Sequence, residues 1–189
     1  MKIWPTAAAL LLPLCACVSS KPDHFYILSV LPQAVSAPRT GSAVQATLKV
    51  TVPSLMDRTE MVLNTSADGV RVLEHERWAV PLADLVTQTL ARDIERRRDD
   101  VLVADRAVGR MTTIKITVDI VQLSMRRGAQ ASMEAHWRIR DTRTGNELVG
   151  GDVFTAPLGL VGYSVVAQTL SECLSSLADR LVGQIAHAE

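Results

Sequence analysis

The stretch TTIKITVDIVQLSMRRGAQASMEAHWRIRDTRTGNELVGGDVFT, Thr112 to Thr155, decides the fold. From Thr112 to Leu123, Ile114, Ile116, Val118 and Ile120 share one face of an extended strand. Val121 and Leu123 then fall on the other parity, which predicts a β-bulge near Ile120–Val121. Arg126-Arg127-Gly128 reads as a turn, and Ala129 to Asp141 answers with Ala131, Met133, Ala135, Trp137 and Ile139 alternating. Thr142 to Asn146 is a second tight turn, after which Glu147 to Thr155 returns as a third strand. Three strands joined by short turns make an antiparallel meander.

Outward from the meander, Ser164 to Ala186 carries Val166, Leu170, Cys173, Leu177 and Leu181 at a spacing of 3 or 4, the stripe of an amphipathic helix. Toward the N-terminus, Val101 to Val103 is a short buried strand. Before it, a helix from Leu82 places Leu85, Val86, Thr89, Leu90 and Ile94 on one face. Arg92, Arg96, Arg97 and Arg98 favour the C-terminal end of its dipole, and read as a solvated helix end rather than a lipid-headgroup site. Glu60 to Thr65 and Val70 to Leu73 flank Asp68-Gly69, a hairpin signal. Ala43 to Val52 alternates as a half-buried strand ended by Pro53, Pro32 to Ser42 reads as a loop, and His24 to Val30 reads as a strand. The expected architecture is α/β of the α+β-like kind. It is a single domain with a mixed, mostly antiparallel sheet packed by two amphipathic helices.

Composition narrows the function. Hydrophobic residues make up 48% and charged residues 21%, which excludes a disordered chain. Lys+Arg and Asp+Glu both total 20, so no basic excess points to nucleic acid. Aromatics are only 4%, a poor supply of stacking platforms for bases or sugars.

Met1 and Lys2 precede an apolar run from Ala7 to Leu14, interrupted by Pro13. This run is far shorter than the roughly 20 residues of a spanning helix and reads as a signal peptide over residues 1–16. Leu14-Cys15-Ala16-Cys17 resembles the bacterial lipobox, in which Cys17 becomes the acylated N-terminus; Cys15 does not fit, because Leu14 would stand at the position that needs a small residue. Two or three acyl chains, at about 0.8 kcal/mol per buried CH₂, make a lasting anchor. Val18 rather than Asp after the cysteine resembles an outer-membrane address, with the domain facing the periplasm. Residues 17–23 form a lipidated tether and residues 24–189 the domain. Val18 to Asp23, at roughly 3.3 Å per residue, reaches only about 20 Å. With Cys17 lipidated, Cys173 has no partner for an intramolecular disulfide, and its leucine neighbours make it a buried thiol.

The search for chemistry yields no catalytic residues, no metal site and no cofactor. Gly162-Tyr163-Ser164 lacks the second glycine of a nucleophile elbow. His75-Glu76 begins a zinc motif, but Ala79 stands where the second histidine belongs. Glu74-His75-Glu76 reads as a solvated strand end, and His136 faces away from the core face of its strand. Gly159 to Gly162 is too short for a phosphate loop and lacks the lysine.

Several segments in series resemble one family. Phe25-Tyr26-Ile27-Leu28, shortly after the lipobox, resembles the YY-x-L start of PqiC-like (YmbA-like) proteins, the ABC-type transport auxiliary lipoproteins of membrane-integrity systems. Val50 to Arg58 (VTVPSLMDR) resembles their V-x-x-P-x-Y-L-D-R, and Arg77 to Leu82 (RWAVPL) their R-W-A-E-P-L. The chain departs in having Leu55-Met56 for Tyr-Leu, Thr59 for Pro and Val80 for Glu. The resemblance implies a non-catalytic partner of MCE-domain proteins, whose channels span the periplasm and move lipid between the membranes together with an inner-membrane transporter component. It makes Asp57, Arg58, Arg77 and Trp78 the candidate partner-binding surface. For Trp78 a place in the core is the competing reading, and for Asp57-Arg58 a local loop-fixing ion pair. A homo-oligomeric ring would suit such a role. The competing class is an outer-membrane lipoprotein that regulates a peptidoglycan synthase; the short tether speaks against it.

Overall fold

Alternating apolar residues at period 2 build the main sheet. The computed structural model describes residues 21–32, 44–104 and 113–188, with side chains to Ile185. Residues 1–16, expected to be a signal peptide, Cys17 with most of the expected tether, and most of the 32–42 loop lie outside them. The elements in chain order are β1 (His24–Tyr26), β2 (Val44–Thr51), β3 (Glu60–Asn64), β4 (Val70–Trp78), α1 (Leu82–Arg97), β5 (Val101–Ala104), β6 (Ile114–Met125), β7 (Ala129–Asp141), β8 (Glu147–Leu158) and α2 (Ser164–Ala188).

The meander forms as the alternation requires. β6, β7 and β8 pair antiparallel, with Ile116 opposite Ile139 and Val118 opposite Trp137. The register slips between Ile120 and Gln122, which is the bulge, and Leu123 and Met125 thereby return to the buried face. Gly128 and Gly145 take φ of +74° and +78° in the two turns, a backbone region that L side chains resist. Asp141 closes the second turn: its carboxylate accepts from the backbone N–H of Arg143 at 2.6 Å and of Thr144 at 3.2 Å. Those bonds, with the neighbouring guanidinium of Arg143, hold Asp141 below the usual carboxylate range.

The order β5-β2-β6-β7-β8 gives a five-stranded mixed sheet, because β2 lies parallel to both β5 and β6. A second sheet has the order β1-β4-β3, with β1 parallel to β4. The Asn64 side chain accepts from the backbone N–H of Met125 at 2.8 Å and ties the two sheets together. Among the described residues, α1 and α2 cover the large sheet and bury Leu85, Val86, Leu90 and Ile94 with Leu170, Leu174, Leu177 and Leu181. The architecture is one α+β domain, as the pattern implies.

Three expectations need correction. The first strand ends at Tyr26 rather than Val30, since only His24, Phe25 and Tyr26 find partners on β4. The fourth strand runs to Trp78, well past Leu73. Glu74 is exposed as expected, but His75 and Glu76 are not a solvated strand end: His75 pairs with Asp23 at 2.9 Å, and Glu76 accepts from the Tyr26 hydroxyl at 2.6 Å and faces His24 at 3.2 Å. Finally, Arg97 and Arg98 are buried. Arg97 crosses to α2, donating to Asp179 at 2.7 Å and the Ser175 hydroxyl at 2.6 Å, while also pairing with Asp93 at 2.9 Å. Arg98 forks onto Asp100 with two bonds of 2.7 Å. Of the four arginines here, Arg92 and Arg96 are exposed. The helix end is an interhelical clamp.

Candidate docking site

Proline starts α1 at Pro81, which supplies no side-chain cap. The orphan N–H groups of a first helical turn still need acceptors. Asp57 provides one from 26 residues upstream: its Oδ1 accepts from the backbone N–H of Ala83 at 3.2 Å. The loop that carries Asp57 is folded back on itself, with the N–H groups of Met56 and Asp57 both donating to the Pro53 carbonyl, and Met56 is buried beneath it. Asp57 is thus placed to cap the helix. No Asp57–Arg58 ion pair is what fixes this loop.

Arg58 turns instead to Glu60 at 3.0 Å, and Arg77 reaches the same carboxylate at 3.0 Å from β4. Arg77 also donates to the Thr59 hydroxyl at 2.8 Å. The Arg58 hydrogen bond, with a backbone bond, holds Glu60 below the usual carboxylate range despite some burial. The fold therefore brings Asp57, Arg58 and Arg77 into one corner at the start of α1, joined by Glu60. Sequence reasoning places Glu60 at the end of the candidate loop from Leu55 but not as the carboxylate that joins Arg58 to Arg77. Its position two residues after an arginine, at a strand start, was the available signal. Leu55 and Val80 are exposed at the rim of this corner.

Trp78 does not join that surface. Its side chain is 1% exposed, one of the largest fully buried groups in the chain. Its N–H donates to the Thr59 carbonyl at 2.6 Å, and the next N–H, of Ala79, donates to Tyr26 at 2.9 Å. Trp78 thus plugs the core where β1, β4 and the 53–59 loop meet, and the surface reading of its side chain is corrected.

Tyr26 and Cys173 are occupied structurally. Burial and the Glu76 hydrogen bond push the Tyr26 hydroxyl up to about 12. Burial likewise pushes the Cys173 thiol up to about 11, and its sulfur lies 3.8 Å from the Phe154 carbonyl. Thiolate character and access both govern thiol reactivity. Cys173 is accordingly expected to resist maleimide in the native protein and to react fully in guanidinium; rapid native labelling would contradict its burial. Among the described residues, no group of three His, Cys, Asp or Glu side chains could hold a metal ion, and no helix is long and apolar enough to cross a membrane.

Comparison with known proteins places this architecture. A crystal structure of an uncharacterized protein superposes with a TM-score of 0.73 at 15% identity, covering 87% of this chain and 99% of that one. A Xanthomonas campestris protein superposes at 0.69 with 16% identity, covering 86% and 94%. At such identities these matches establish the fold alone. No curated protein sequence matches the chain significantly. A family model described as an ABC-type transport auxiliary lipoprotein component matches residues 26–182, nearly the whole domain, and the chain belongs to that family.

Proposed function

We propose that this protein is a non-catalytic outer-membrane lipoprotein that docks an MCE-type, Pqi-like intermembrane lipid transport system and so maintains envelope integrity. The observation that carries the reading is the family match over residues 26–182, preceded by a lipobox cysteine at Cys17. Residues 1–16 would be removed as a signal peptide, 17–23 would be the lipidated tether, and 24–189 the periplasmic domain. The partners are an MCE-domain protein that spans the periplasm and its inner-membrane transporter component, with no cofactor and no nucleic acid. Self-association into a ring is one form the docking can take. The corner of Asp57, Arg58 and Arg77 supports the reading: its charges are held in place by Glu60 and the α1 N-terminus, so little side-chain entropy remains to be lost on binding.

In-cell crosslinking followed by affinity purification from outer membranes tests this directly. Mass spectrometry of the retained proteins is expected to find an MCE-domain protein, and Arg58→Glu with Arg77→Glu to reduce its recovery. Recovery of a peptidoglycan synthase without any MCE protein would overturn the reading in favour of a cell-wall regulator.

A further inference from the structure

Four large apolar side chains stand in solvent at one end of the molecule: Phe25 (64% exposed), Ile27 (64%), Leu160 (67%) and Val161 (90%). A folded domain rarely leaves such a group uncovered without a use for it. Two come from the N-terminal segment and two from the loop between β8 and α2, and the structure holds both segments beside the first turns of α2. Phe25, Ile27 and Leu31 line one side of a cavity of about 390 Å³ whose other side is Ser164, Ala167 and Gln168. The Ser29 N–H donates to the Ser171 hydroxyl at 3.1 Å, which fastens the N-terminal segment to α2.

The loop is fastened as firmly. Arg127, from the β6–β7 turn, donates to the Leu160 carbonyl and stacks its guanidinium 4.5 Å from the centre of the Tyr163 ring. A Cβ on Gly128 would meet the Leu160 side chain at 2.8 Å, so the turn and the loop are in contact. The exposure of Leu160 and Val161 is thus built into the fold. Cations rim the same end: Lys21 shares a depression with Tyr163, and Arg126 and Arg127 sit on the adjoining turn. Two of the nearby acids are already engaged, Asp23 with His75 and Glu76 with His24 and Tyr26, while exposed Glu74 lines the same depression as Lys21. Lys21 is four residues from Cys17, a reach of about 14 Å at most.

We infer that this end is a membrane-seating tip: Phe25, Ile27, Leu160 and Val161 enter the headgroup–acyl boundary of the bilayer that holds the Cys17 anchor, with Lys21, Arg126 and Arg127 at phosphate level. Apolar side chains backed by cations are the combination by which peripheral segments bind anionic bilayers. The tip holds the domain in one orientation, which a single lipidated point of attachment does not. The inference rests on the anchor reading above, and its test separates the two.

The full-length lipoprotein, carrying Val161→Cys labelled with an environment-sensitive nitrobenzoxadiazole dye, is reconstituted into vesicles of phosphatidylethanolamine and phosphatidylglycerol. Arg138→Cys is the control, nine residues or about 30 Å along β7 from Ala129 and exposed on the outer face of the sheet. In protein that floats with vesicles, the dye at position 161 is expected to shift to the blue, brighten severalfold, and be quenched by lipids spin-labelled high on the acyl chain. The dye at 138 should do none of these. Phe25→Ser with Ile27→Ser and Leu160→Ser should abolish the shift and leave flotation intact. Floating protein whose dye at 161 is as wet as at 138 overturns the tip but leaves the anchor standing. A blue shift without lipid quenching assigns the patch to a protein contact and overturns it too. Failure to float overturns the anchor reading and the tip together.

Discussion

Arg97→Met is expected to destabilise the domain by about 3–5 kcal/mol, measured as the urea unfolding free energy at neutral pH. The reason is Asp93, which is fully buried one helical turn before Arg97 and has its carboxylate 2.9 Å from the guanidinium. Removing the cation leaves an uncompensated charge in the α1–α2 interface and strips the Ser175 and Asp179 contacts that join the two helices. The loss is large against the 5–15 kcal/mol that a typical domain has in total. A companion variant isolates the cause: Arg97→Met with Asp93→Leu should recover most of the loss, since replacing both members of a buried pair by apolar groups is often neutral.

The pH dependence follows from the same pair. Burial raises Asp93 above the usual aspartate value, outweighing the pull of Arg97. A carboxylate raised on folding opposes the folded state once ionised. Its cost is absent below the unfolded value of about 3.9 and grows as pH rises through the folded one. Without Arg97 the folded value climbs further. The deficit of Arg97→Met relative to wild type should therefore be greatest at neutral pH and narrow as the pH falls toward the ordinary carboxylate range. A deficit that is flat with pH would remove Asp93 as its cause.

Trp78→Ala is expected to cost about 3–5 kcal/mol, the range for emptying a buried aromatic site. Trp78 fills the junction of β4, β1 and the 53–59 loop, so its loss should also loosen the loop that positions Asp57 at α1. By contrast, Arg77→Ala removes a partly exposed pair and should cost under about 1 kcal/mol. Urea midpoints and partner recovery, measured together, separate the roles of these adjacent residues. Trp78→Ala should lower the midpoint, and Arg77→Ala should lower recovery at an almost unchanged midpoint. A Trp78 variant of wild-type stability that lost its partner would reverse the assignment made from burial.

Local patterns made much of this fold readable. Strands such as Ala129–Asp141 announce themselves because side chains at period 2 must divide between core and water, and α1 and α2 because 3.6-residue spacing gathers Leu82–Ile94 and Val166–Leu181 into stripes. The β6 bulge was legible as a break in parity. β4 was read too short because Glu74 to Arg77 look like a polar strand end. His75 and Glu76 find their partners 50 or more residues away, and Arg77 finds Thr59 and Glu60 across the β3–β4 hairpin, contacts that no local window contains.

The same physics divides the candidate site. The sequence by itself determined which residue types were available: the adjacent Asp57 and Arg58, the Arg77-Trp78 corner, and the order of strands and helices. Only the tertiary structure decided what each does. Asp57 became a helix cap because α1 begins at a proline that cannot cap itself. Arg58 and Arg77 became neighbours because β3 and β4 pair with Glu60 opposite Arg77. Trp78 went inward and Arg97 was buried between helices, although polarity and dipole arguments each favoured solvent for arginine. Hydrophobic pattern acts locally and survives in a one-dimensional reading. Charges and hydrogen bonds are assigned by distance in space, and their partners exist only once the chain has folded.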